Sequence, residues 1–118
     1  MAENNKQYDL EERTLRFAAS VRGFIKKLPK TLGNIEDSKQ VVRSSGSIGA
    51  NYIEANEALS KKDFCMRIKI SRKEAKESKF WLSLLDTCNN TLDKERAMLL
   101  KEADELMKIF SAIMRKSI

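Results

Sequence analysis

Histidine is absent from this chain. Its absence removes the commonest general base, the commonest metal ligand and every Ser-His or Cys-His nucleophile pair. It also removes the Glu-x-x-His pairs by which helical bundles hold two iron ions. What remains for chemistry is carboxylates, two thiols and one glycine-rich stretch. Glu74 and Glu77 stand in the run Arg72-Lys73-Glu74-Ala75-Lys76-Glu77-Ser78-Lys79 and read as surface salt-bridge partners. Cys65 and Cys88 are the only cysteines, too few and too scattered for a zinc site. Both are expected in one helical segment, 23 residues and roughly 35 Å apart at helical rise. They cannot bridge within the chain and read as reduced, buried thiols. Gly46-Ser47-Ile48-Gly49 lacks the spacing and the following Lys-Ser or Lys-Thr of a phosphate loop, and no strand precedes it. Glycines that let two helices approach closely are the simpler reading. The chain is therefore expected not to be an enzyme and to hold no metal and no cofactor.

The positive signal is electrostatic. The net charge is +6, and residues 61–79 carry eight basic side chains against three acidic ones, nearly all of that surplus. Placed at a helical repeat of 100° per residue, Lys62, Lys69, Arg72, Lys73, Lys76 and Lys79 fall within a sector of roughly 120°. Such a stripe meets phosphates, or else it is a solubilising face with Glu74 and Glu77 as helical partners. The same segment carries two apolar groups. One is the expected core stripe of Phe64, Ile68, Ala75 and Leu82. The other, about a third of a turn away, is Met66, Ile70, Trp81, Leu84 and Cys88. A small bundle does not readily bury both, so Met66, Ile70, Trp81 and Leu84 are the expected subunit interface of a homo-oligomer, or else Trp81 and Leu84 merely flank a wide core.

These residues must be positioned by helices. At 118 residues, with four Gly and one Pro, the chain has room for one domain of long helices and short loops. Residues 1–7 are polar and expected as a disordered tail, with a single domain over 8–118. Asp9 reads as an N-cap with Glu12 as its capping-box partner. Leu10, Thr14, Phe17, Val21, Phe24 and Leu28 then follow at steps of 4 and 3, one buried helical stripe. Pro29 ends that helix. Gly33-Asn34 reads as a turn, and a second helix starts near Ile35 to Ser38, with Val41 or Val42, Ser45, Ile48, Tyr52, Ala55 and Leu59 inward. Asn51, Glu54 and Glu57 share this helix: either Glu54 and Glu57 are simply solvated, the simpler reading, or a polar contact among these residues holds helix register. Ser60 with Asp63 caps the third helix, which Asn89-Asn90 breaks. Thr91 or Asp93 caps the fourth, with Leu99, Ala103, Leu106, Phe110 and Ile113 inward. The fold expected is all-α, an up-down-up-down antiparallel four-helix bundle. There is no apolar N-terminal run and no membrane-length apolar stretch, so a cytoplasmic location without membrane contact is expected.

The segment from Val41 to Leu85 resembles the signature region of the four-helix-bundle proteins encoded within bacterial 23S rRNA intervening sequences. The matching residues are Arg43, Ser44, Ser47, Ile48, Ala50, Asn51, Glu54, Ser60, Lys62, Asp63 and Phe64. The chain departs from many members in having Glu54-Ala55 where they have Glu-Gly. The family is similar in fold to the accessory protein of diversity-generating retroelements, a basic pentamer that engages nucleic acid. The resemblance thus implies a homopentamer here. Two functional classes follow: an oligomer binding RNA or DNA through the basic stripe, or a structural, protein-interaction scaffold whose basic face serves solubility.

Overall fold

The computed structural model describes the backbone of residues 2–117 and the side chains of residues 10–117. Four helices follow in order: α1 (Ala2–Ile25), α2 (Leu32–Asn56), α3 (Lys61–Leu84) and α4 (Asn90–Ser117). Each packs against its sequence neighbours and α1 closes on α4, giving the expected antiparallel up-down-up-down bundle. The α2–α3 contact is the most extensive.

The apolar periodicity decides what lies inside. Every member of the α1 stripe, from Leu10 to Leu28, is buried. Val41, Ile48 and Tyr52 of α2 meet Ile68, Ala75 and Leu82 of α3 and Leu99, Ala103, Leu106 and Phe110 of α4 in one core. Tyr52 and Phe110 lie with ring centroids 5.7 Å apart. Burial of each such large side chain contributes about 1.5–3 kcal/mol. Arg13 of α1 fastens the weaker α1–α4 edge. Its guanidinium donates to both carboxylate oxygens of Glu102 at 2.7 Å and to Glu105 at 3.0 Å.

The helix ends depart from expectation in several places. α1 begins at Ala2, so Asp9 lies inside it rather than at its cap. The Asp9 side chain lies outside the described residues. α2 begins at Leu32, ahead of the expected Ile35, because Thr31 accepts the Asn34 amide at 3.1 Å as N-cap. Asn34 is therefore a first-turn residue, and it is buried. Its side chain donates to the Pro29 and Asp86 carbonyls and accepts from the Asp86 amide, each at 2.9 Å. One amide group thus bolts the α1–α2 loop to the α3–α4 loop. Ser60 caps α3 as expected, accepting from the Asp63 amide at 3.1 Å. α3 ends at Leu84, not at Asn89, and Asn89 caps α4 by accepting from the Leu92 amide at 2.8 Å.

Two consequences correct the sequence reading. Leu59 is 99% exposed, since α2 stops at Asn56 and the stripe does not reach it. Cys88 lies in the α3–α4 loop, exposed, with a φ of 63°. It is not a buried helical thiol and belongs to no apolar helix face; Cys65 is half-buried.

Gly49 is a close contact as expected. A Cβ there would lie 2.7 Å from Oγ1 and 3.1 Å from Cβ of the buried Thr14, so α1 and α2 touch at this point. Gly46 is different: a Cβ would meet only the tip of Arg22 at 3.8 Å, an ordinary contact. Among the described residues, no helix is long and apolar enough to cross a membrane.

Candidate nucleic-acid interface

α3 presents its residues to both neighbours, α2 on one flank and α4 on the other. On the α4 flank, Lys69, Arg72, Lys73 and Lys76 line one groove of about 500 Å³ with Met107 and Ser111 of α4. No carboxylate lines it. Among the described residues, none of these four cations forms an ion pair. Four of the six expected stripe residues thus come together.

The other two do not. Lys62 is exposed at the start of α3, outside the groove. Lys79 is half-buried and donates to Asp104 of α4 at 2.7 Å. Asp104 also takes Lys108 at 3.0 Å. Hydrogen bonds from Lys79 and then Lys108 hold its carboxyl below the usual carboxylate range. Lys79 therefore ties α3 to α4 and does not line the groove. Phe80, 59% exposed, stands beside it with its ring edge-to-face on Trp81 at 5.1 Å.

The α2 flank is organised in the opposite way. Ser44 and Ser78 share a hydrogen bond of 2.8 Å, Ser78 donates to the Glu74 carbonyl at 2.9 Å, and Ser71 donates to the Ile48 carbonyl at 2.9 Å. All three serines are fully buried. Arg67 donates to Asn51 at 3.0 Å, and Glu54 and Glu57 are exposed. The expectation for Glu74 and Glu77 is corrected here. They are not solvated partners of neighbouring lysines. Glu74 is buried and Glu77 half-buried, and both turn to Arg43 of α2, whose guanidinium lies 3.5 Å from Glu74 and 3.0 Å from Glu77. Burial pushes the Glu74 carboxyl up, against the pull of Arg43. For Glu77 burial acts in the same sense, but hydrogen bonds from Trp81 and Arg43 outweigh it and hold its carboxyl below the usual range.

The expected interface residues are divided. Met66 and Leu84 are each 53% exposed, whereas Ile70 and Trp81 are half-buried, with Trp81 packed on the core. Periodicity alone missed Leu59, which shares a shallow depression with Met66, Glu54 and Glu57. The early stop of α2, signalled only by the turn-forming Asn56 and the Ser60 cap, is what exposes it. Among the described residues no group of three or more His, Cys, Asp or Glu is placed to hold a metal ion.

Comparison with known proteins agrees with this architecture. The 23S rRNA-intervening sequence protein family matches over residues 6–112. No curated protein matches the sequence. A crystal structure of a protein of unknown function from the S23 ribosomal protein family of Bacteroides thetaiotaomicron VPI-5482 superposes with a TM-score of 0.78 at 30% identity, covering 89% of this chain and 97% of that one. Arg43, Ser44 and Asn51 each bond from α2 to α3. The chain belongs to the 23S rRNA-intervening sequence protein family.

Proposed function

We propose that this protein is a non-enzymatic, self-associating four-helix bundle that binds nucleic acid, RNA in the first place, without sequence preference. The observation that carries the reading is the α3–α4 groove, with Lys69, Arg72, Lys73 and Lys76 lining it and no acid among them. Ammonium and guanidinium groups so placed meet phosphate oxygens and read no base edges. Self-association uses Met66, Leu84 and the exposed parts of Ile70 and Trp81; a homopentamer is what the family likeness implies, and it would repeat the groove around one particle. A cytoplasmic location fits an RNA-binding protein of this kind.

The test is a salt titration of binding to fluorescent duplex and single-stranded RNA. Affinity should fall steeply with salt, and the log-log slope should shrink by roughly one for each phosphate-contacting lysine removed. Lys69→Glu with Lys76→Glu should abolish binding and leave fold and particle mass unchanged, since both side chains are exposed. A double variant that binds as the parent does moves the interface elsewhere. A parent that binds nothing at low salt leaves the scaffold class, which the fully exposed Leu59 favours.

A further inference from the structure

One oxygen of Glu74, Oε1, is buried in a side chain only 7% exposed and has no hydrogen-bond partner: Arg43 Nη2 stands 3.5 Å from this same atom, within ion-pair reach but too far for a good hydrogen bond. Nucleic-acid binding makes no use of it. Buried acceptors are almost always paired, so this one calls for a cause. The charged groups facing it are Arg43 from α2 and Glu77 and Lys73 from α3. Lys73 is exposed on the groove side, and Arg43 is shared between the two acids. With both carboxylates ionised, the Arg43 guanidinium is shared between two negative charges, of which the Glu74 one is buried and, beside Arg43, is faced only by the exposed Lys73. A proton on Glu74 removes the surplus. Its carboxylic O–H then donates to the Glu77 carboxylate, which also accepts from Arg43 at 3.0 Å and from the Trp81 indole Nε1 at 3.3 Å.

We propose that Arg43, Glu74, Glu77 and Trp81 form a proton-operated latch on the α2–α3 seam that controls the apolar face around Trp81. When Glu74 is protonated the seam is closed and the indole is held by Glu77. When Glu74 gives its proton to water, the two carboxylates repel, Glu77 turns outward to solvent, and the bond holding Trp81 is lost. The added charge appears beside Ile70 and Trp81, so ionisation opposes burial of that face against a second copy. This last consequence rests on the self-association proposed above. The opposite displacements of the two carboxyls, Glu74 upward by burial and Glu77 downward by its hydrogen bonds against burial, are the order a latch requires.

Trp81 is the only tryptophan, so its fluorescence reads the latch directly. The experiment is a pH titration of emission for the parent and for Glu74→Gln, whose amide donates to Glu77 at every pH. The parent emission should move to the red as the pH rises above the ordinary carboxylate value of 4.5, and the variant should stay at the acid-form position throughout. A parent without a shift, or a variant that shifts equally, overturns the latch. Carbon-13 NMR of carboxyl-labelled glutamate in the parent needs no variant: one carboxyl must titrate above the others, and its absence overturns the proposal as well. Light scattering on the same samples tests the coupling. Particle mass should fall with rising pH in the parent only; constant oligomeric mass with shifting emission overturns control of the face. A monomer at every pH overturns self-association alone, and the emission then still decides the latch.

Discussion

The two flanks of α3 use the same kinds of residue to opposite ends. Toward α2, Arg43, Glu74 and Glu77 meet, Arg67 reaches Asn51, and three serines are buried against backbone and one another. Toward α4, Lys69, Arg72, Lys73 and Lys76 line open space without a counter-charge. In the linear run from Arg72 to Lys79, two acids are interleaved with four bases. The helical repeat sorts them, because Glu74 and Glu77, three apart, share the α2 side while the bases three and four apart share the other. Local charge density along a sequence therefore says little; charge by azimuth says which flank is a joint and which is a surface.

That contrast can be broken first where α2 is packed most tightly. Gly49→Leu is expected to destabilise by about 3 kcal/mol through overpacking against Thr14, measured by urea unfolding. The adjacent Gly46→Ala, with only the Arg22 tip nearby, should stay within about 0.5 kcal/mol of the parent. If both variants melt like the parent, α2 is not the rigid partner on which the comparison depends. Arg43→Ala comes next. Removing one partner of a buried ion pair costs about 3–5 kcal/mol, and the half-exposed guanidinium brings the expectation down to about 2 kcal/mol. Groove variants such as Lys76→Ala should be neutral in the same assay.

The pH dependence sharpens the comparison further, since no acid lines the groove. Glu74 has a carboxyl pKa raised by burial, so its folded state prefers the proton. Its contribution is fully present below the unfolded value and is lost as the pH rises through the folded one. Glu77 has the opposite sign: its contribution is present above the unfolded value and is lost as the pH falls through the lowered one. Glu74→Gln should therefore gain stability over the parent from acid to neutral pH, with no gain at the acid end. A difference constant with pH would show that the Glu74 carboxyl has the same pKa in the folded and unfolded states.

How much of this was legible follows from what periodicity measures. The α1 stripe from Leu10 to Leu28 is buried in full, and Ser60 caps α3, because apolar spacing and capping chemistry are local. The basic groove was legible as a stripe for the same reason, though not that only four of the six line it, since Asp104 takes Lys79 from another helix and Lys62 lies outside the groove. Glu74 was illegible. A glutamate among lysines has the composition of a solvated face, and only the approach of α2 buries it. Asn34 misled in the same way: Gly-Asn looks like a turn until Asp86, 52 residues on, supplies its partners. Leu59 kept the helical spacing after the helix had ended.

The smallest expected effect concerns whether the groove reads only phosphates. Phe80 stands exposed where the stripe meets Lys79, so a base could stack on it. Stacking platforms contribute about 1–3 kcal/mol per base in proteins built for single strands. Here the ring is already engaged edge-to-face by Trp81 at 5.1 Å, and Phe80 lies outside the residues that line the groove. Phe80→Ala should therefore weaken single-stranded RNA by less than about 1 kcal/mol and leave duplex RNA unchanged, because a duplex offers its bases to no ring. The salt slope should be the same in parent and variant, since no cation is removed. A tenfold loss confined to single strands would mean that bases, and not only phosphates, enter the site, and the α4 flank would then be a recognition surface with an aromatic end rather than a purely electrostatic one.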